Sequence, residues 1–239
     1  MKKQIVVLTL CVLTLTLCSL AVNQASAVTP FFSDEFESGS FSAWSGGSTT
    51  TGETRAVTTE VKYSGSYSAR FTSNGGGGTE YAYIYKNIAT RTPGSHLYVC
   101  GYFKVSTNGI KDVGDRFYFI TLRAGNNDVV WAGWRKTTEG LRWELVMLHG
   151  STLQVRTFST SVPAYCTWYR VELHYRMTPI ACRNGIAELY VNGYKVCFLF
   201  GWNNAYYGGV NSVRIGLPTL VNCASTKLYV DNVVFSTWP

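Results

Sequence analysis

Histidine is nearly missing from this chain, with three in 239 residues, and no two cysteines stand as Cys-x-x-Cys. The ligand spacing of a zinc site is therefore absent. Although the net charge is +7, no Lys/Arg run follows Lys2-Lys3, and basic residues scattered among strands and loops speak against a nucleic-acid partner. No stretch of ten or more residues carries a 3.6-residue apolar period with caps, so helix is expected to be minor. There is no Asn-x-Ser/Thr sequon, no internal repeat and no linker long enough to divide the chain. Asn74 followed by Gly75 to Gly78 is the one low-complexity stretch. Without a following Lys-Ser/Thr it reads as a hairpin connection rather than a phosphate cradle.

What is there begins with an export signal. Lys2 and Lys3, an apolar run from Ile5 to Val22, and Ala25-Ser26-Ala27 make a charged region, a hydrophobic region and a small-residue cleavage site. Thr9, Thr14, Thr16 and Ser19 weaken the rival reading of a membrane span, and no second span follows. Residues 1–27 are therefore expected to be a signal peptide. Residues 28–239 then form a single secreted, extracellular or cell-surface domain of net charge +5, since Lys2 and Lys3 leave with the signal. Five cysteines remain, Cys100, Cys166, Cys182, Cys197 and Cys223, enough for two disulfides whose pairing the sequence does not assign.

The mature chain alternates at period 2. Val171, Leu173 and Tyr175 interleave with Arg170, Glu172, His174 and Arg176, and Ala187, Leu189 and Val191 interleave with Glu188, Tyr190 and Asn192. This is the pattern of half-buried antiparallel strands. Asn192-Gly193 can take the positive φ angles of a tight hairpin turn. Strands are expected at 31–36, 55–61, 66–73, 79–88, 96–106, 115–124, 128–136, 140–149, 152–158, 167–176, 186–192, 194–200, 211–217 and 226–235. Many short, evenly spaced strands point to an all-β sandwich, with the first and last strands close together and covering edges.

The order of Trp168, an alternating strand, a loop and Leu189-Tyr-Val-Asn-Gly193 resembles the central hairpins of concanavalin A-like, laminin-G-like jelly rolls. Phe31 to Trp44, followed by Tyr63 to Phe71, resembles the opening of secreted carbohydrate-recognising β-sandwiches, and Leu228 to Phe235 resembles their closing strand. The resemblance implies an antiparallel jelly-roll sandwich, and in the similar carbohydrate-binding modules acids at the positions of Glu37 and Asp231 help hold a structural calcium ion. Hard carboxylate and carbonyl oxygens suit Ca²⁺. Alternatively, these acids cap turns by bonding backbone amides.

Aromatic residues, 15% of the chain, nominate the binding surface. The loop from Gly201 to Gly209 carries Trp202, Tyr206 and Tyr207 beside Asn203 and Asn204, combining flat rings with amides for sugar hydroxyls. Tyr81, Tyr83 and Tyr85 share one strand face, forming either an exposed platform or part of the core. Trp131 and Trp134, three apart, face opposite sides. These features favour binding of a polysaccharide or other glycan, and the positive charge favours an acidic one.

Enzymatic alternatives need more. The Glu-x-Asp-x-x-Glu strand common in jelly-roll glycosidases is absent, and Glu172 and Glu188 have Arg170 and Lys195 for charge partners. A polysaccharide lyase needs a Tyr or His base near an Arg that stabilises the ionised uronate. Arg170, His174 and Arg176 on one strand face, with His149 ending another strand, are the candidates, although the Arg-x-Glu-x-Arg, Gln-Ile-His and Tyr-x-Lys-x-Gly-x-Tyr signatures of concanavalin A-like alginate lyases are missing. A lectin-like module, a lyase of acidic glycans and a cell-surface adhesin remain the open readings.

Overall fold

A computed structural model describes residues 29–107, 109–179 and 182–237, so the expected signal peptide lies outside the described residues. Among the described residues every regular element is a strand. In chain order these are β1 (Thr29–Asp34), β2 (Gly46–Thr49), β3 (Thr54–Thr58), β4 (Ser68–Ser73), β5 (Thr79–Asn87), β6 (His96–Thr107), β7 (Arg116–Ala124) and β8 (Asn127–Thr137). The remainder are β9 (Gly140–His149), β10 (Leu153–Phe158), β11 (Tyr169–Arg176), β12 (Gly185–Val191), β13 (Tyr194–Trp202), β14 (Ser212–Val221) and β15 (Thr226–Thr237). All expected strands are present, and β2 is additional: its Gly-Gly-Ser-Thr sequence has no apolar alternation and pairs because it lies against β5.

Two antiparallel sheets pack face to face. One runs β13-β12-β11-β6-β15-β4-β3, with β1 also paired to β15; the other runs β10-β9-β8-β7-β14-β5-β2. The termini meet as expected, with Thr29 opposite Thr237 and Asp34 opposite Val233. Asn192 and Gly193 take φ of 51° and 85° and close the β12–β13 hairpin.

Alternation decides which side chains fill the space between sheets. Ala82 and Ile84 of β5, Phe117 and Phe119 of β7, Trp134 of β8 and Trp143 of β9 are buried; Phe119 and Trp134 each meet Trp143 edge to face, and Phe117 is tilted against Trp134. Trp134–Trp143 is the tightest of these perpendicular pairs, with centroids 5.5 Å apart at 88°. Aromatic pairs of this kind add about 0.5–1.5 kcal/mol each beyond area burial. On β14 the register slips between Ile215 and Thr219, where Pro218 removes a ladder donor. Gly216, at φ 118°, is required there, since a Cβ would stand 2.6 Å from the Phe71 ring.

The two disulfides expected from the sequence do not form among the described residues: all five cysteines are free thiols. They stand on separate elements with other partners. Cys197 faces the core, its thiol donating to the Trp143 carbonyl, and Cys223 donates to the Arg116 carbonyl. Burial pushes both thiols up to about 12, so they stay protonated. No helix of the described residues is long and apolar enough to cross a membrane.

Candidate functional site

The alternation that buries Ala82 and Ile84 turns Tyr81, Tyr83 and Tyr85 to the outer face of the seven-stranded sheet. The same rule brings Arg214 of β14, Arg123 of β7 and Trp131 of β8 to that face. Arg214 lies opposite Tyr85 on one side and Thr121 on the other, and Thr121 in turn lies opposite Trp131. The sheet register thus assembles a row from four stretches of sequence. Trp134 goes to the core and Trp131 to the face, as their spacing requires.

Three adjoining hollows cross this face. The largest, about 620 Å³, is lined by Tyr83, Tyr85, Asn126, Asn211, Arg123 and Arg214 among others. The next, about 420 Å³, shares Arg123, Asn126 and Arg214 with it and adds Asp128, Trp131, Gln154 and Tyr207. A third of about 210 Å³ continues past Trp131 and Gln154 to Arg116, Tyr118 and Thr219. Shared walls make the three one elongated groove.

Its electrostatics are lopsided. Asp128 Oδ1 receives Arg123 Nε at 2.6 Å and Arg214 Nη1 at 3.4 Å. Fully buried Glu144 receives Arg156 at 3.1 Å and Arg135 at 3.5 Å, and accepts the Tyr118 hydroxyl at 3.0 Å. With Arg116, these make five guanidinium groups around the two carboxylates Asp128 and Glu144. Burial first, and then Glu144, push the Tyr118 phenol far above its ordinary value, so it keeps its proton. The Arg214 guanidinium lies 4.4 Å from the Tyr83 ring centroid, tying the two side chains together.

The Trp202–Tyr207 segment is placed differently along its length. Trp202 ends β13, is partly buried against the core and meets His149 edge-on at 5.1 Å. The Asn203 amide N–H donates to His149 Nδ1 at 3.1 Å. Asn204 is buried, its side chain accepting from Thr178 N–H at 2.7 Å and donating to the Arg176 carbonyl at 3.1 Å. Tyr206 is exposed, whereas Tyr207 enters the groove wall and donates its hydroxyl to the Ser151 carbonyl at 2.7 Å.

The opposite outer face, on the eight-stranded sheet, carries the histidine candidates. Arg170 pairs with Glu172 at 2.8 Å and Lys195 with Glu188 at 3.1 Å, the charge-paired surface expected for these acids. His174 Nδ1 lies 2.7 Å from Glu188 Oε2, and its Nε2 lies 2.8 Å from His96 Nδ1. Burial by itself would push the Glu188 carboxyl up, but hydrogen bonds from His174, Lys195 and Tyr190 hold it below the usual range. Arg176 donates to the Asn184 carbonyl. His149, on the other sheet, is apart from this group.

Glu37 and Asp231 both act on backbone. Glu37 accepts from the amides of Ser66 and Tyr67, and Asp231 from those of Tyr63, Ser64 and Asn232. Burial lifts the Asp231 carboxyl above its usual value against those amides. Among the described residues no three His, Cys, Asp or Glu side chains gather around a common point. An ion between Glu37 and Asp231 would therefore need carbonyls and waters to reach the six to eight oxygens Ca²⁺ takes.

Sequence reasoning missed Arg123, Asp128, Arg214, Glu144 and Tyr118. The available signal was an arginine at an outward position on each of several successive strands, which only sheet order turns into a cluster.

Set beside solved structures, this architecture is similar to several β-sandwiches, polysaccharide lyases among them. An endo-β-1,4-glucuronan lyase from the fungus Trichoderma reesei superposes with a TM-score of 0.65 at 14% identity, covering 87% of this chain and 95% of that one. The cellulose-induced protein Cip1 gives a TM-score of 0.58 at 16% identity, over 86% of this chain and 96% of that one. Alginate lyase Aly36B gives 0.54 at 14% identity over 73% and 82%. At such identities the likeness is one of fold. No protein-family model matches the chain, and no curated protein matches its sequence.

Proposed function

We propose that this protein is a polysaccharide lyase that cleaves an acidic, uronate-containing glycan lying along the groove of the seven-stranded sheet. The observation that carries this is the meeting of Tyr83, Arg123 and Arg214 in the largest hollow, with Asp128 of the adjoining hollow paired to both arginines. The fold shared with a glucuronan lyase and alginate lyases supports the same chemistry. Hydrolysis by paired carboxylates finds no support on this face. Retaining and inverting glycosidases need two carboxyl groups free to act as acid, base or nucleophile, whereas Asp128 and Glu144 are each committed to two arginines.

In the proposed reaction Arg214 and Arg123, helped by the Asn126 and Asn211 amides, bind the uronate carboxylate and stabilise negative charge developing next to it. The Tyr83 oxygen, entering the cycle as the phenolate with Arg214 over its ring, removes the proton from C5 and becomes the phenol. The electron pair forms the C4=C5 double bond, the C4–O bond breaks, and the departing oxygen takes the proton back from Tyr83. The steps balance with no oxidant or metal. Trp131 and Tyr207 offer ring faces for neighbouring sugars, and a groove built of three hollows suits an extended chain rather than a chain end.

The test is to incubate the protein with polyglucuronate and with alginate and follow the ultraviolet absorbance of the new double bond. Tyr83→Phe should lower the rate by about 10²–10⁴-fold, the usual worth of a positioned acid–base group, while His174→Ala leaves it unchanged. Full activity in Tyr83→Phe, or absence of unsaturated product from every polyuronate tried, defeats the reading.

A further inference from the structure

On the face opposite the groove, β6 turns Tyr98, Cys100 and Tyr102 outward, and these line a separate hollow of about 540 Å³ with Arg170, Glu172 and Val234. We propose that this hollow is a second, non-catalytic glycan site, and that it takes neutral pyranoside units rather than uronates.

The shape is that of a slot between two ring walls. Tyr98 and Tyr102 are four residues apart on one strand, about 13 Å at strand rise, with the small Cys100 side chain on the floor between them. That length accommodates about two pyranose rings. Each wall is braced from outside. The Tyr98 ring stacks on His174 at 4.4 Å and 5°, and Tyr102 stacks on Tyr63 at 3.6 Å and 15°. Tyr63 in turn meets Trp168 edge-on at 5.9 Å. Rings fixed in this way lose little conformational freedom when a sugar C–H face settles on them.

Charge separates the two faces. In the groove, guanidinium groups outnumber carboxylates. In the slot, Arg170 is already neutralised by Glu172 at 2.8 Å, and Glu35 adds an uncancelled carboxylate at the rim. A uronate would meet repulsion there. A neutral sugar would find the Arg170–Glu172 pair, a donor beside an acceptor, matched to vicinal hydroxyls. Cys100 is unsuited to a reactive role, because burial pushes its thiol up to about 11.

The assay is calorimetric titration of the full mature chain with cellohexaose, xylohexaose, mannohexaose and maltohexaose, and with hexamers of glucuronate and mannuronate. At least one neutral hexaose should bind. Its affinity should fall at least about thirtyfold in Tyr102→Ala and in Cys100→Trp, which fills the floor while keeping both walls. It should persist in Arg214→Ala and change little with added salt. Failure of every neutral hexaose to bind overturns the proposal. So does unchanged binding in Cys100→Trp, or binding that is lost in Arg214→Ala, which would move it to the groove. Lyase activity on polyuronate is read separately on the same variants, so the two proposals can fail independently.

Discussion

Replacing Arg214 by alanine tests the groove most directly, because its structural and functional costs differ in size. Structurally, Arg214 contributes a 3.4 Å ion pair to Asp128 and a cation–π contact to Tyr83, while its side chain stays 17% exposed. Asp128 keeps Arg123 at 2.6 Å, so no carboxylate is left unpaired. The stability loss should be about 1 kcal/mol, a fall in Tm of about 2–4 °C for a domain of this size. Functionally, a guanidinium about 4 Å from a uronate carboxylate at an effective dielectric near 20 is worth about 4 kcal/mol before screening. Allowing for salt and for Arg123 as a partial substitute, about 3 kcal/mol remains, roughly a 150-fold loss in kcat/KM. Initial rates on polyglucuronate and alginate, with Tm recorded in parallel, supply both numbers. A kcat/KM within threefold of the parent would refute the assignment, and a loss matched by unfolding would show that the residue is structural.

Glu144→Ala should cost about 3–5 kcal/mol, since it leaves Arg135, Arg156 and the Tyr118 hydroxyl facing an emptied buried position; Glu144→Gln should cost less, and denaturant melts compare the two. Burial, His174 and Arg176 hold the His96 imidazole below its ordinary value. Its contribution is therefore fully present above the unfolded-state pKa of about 6.5 and is lost as pH falls from there through the lower folded-state value, so His96→Asn should flatten the decline in Tm below about pH 6.5. Calcium bridging Glu37 and Asp231 would raise Tm on addition and lower it with a chelator, with the effect gone in Asp231→Ala. An unchanged Tm in metal-stripped protein would leave both acids with their backbone-capping role.

Much of the fold was legible from pattern. Period 2 along Val171 to Tyr175 and Ala187 to Val191, and the Asn192-Gly193 turn, depend on backbone geometry that each residue carries locally. β2 was not legible, because Gly46 to Thr49 has no apolar alternation and becomes a strand only by lying against β5. The cysteine count was misleading for a related reason. Number and compartment say how many bridges could form, whereas pairing needs proximity, and the folds of β6, β13 and the segment after β14 keep the thiols apart.

The site divides along the same line. The sequence by itself determined that Tyr81, Tyr83 and Tyr85 share a face and that Trp131 and Trp134 do not, because side-chain direction in a strand follows from position alone. It also showed that the acids near Arg170 and Lys195 would be charge-paired. Only the tertiary structure decided that the tyrosine face is the outer one, and that Asn204 spends its amide on Thr178 and Arg176 backbone. It alone brought Tyr83, Arg123, Asp128 and Arg214 together along two adjoining hollows of one groove. These come from β5, β7, β8 and β14, and their meeting depends on the order β8-β7-β14-β5. That order is set by which strands bury apolar faces together across the whole chain, a long-range choice that no local spacing records.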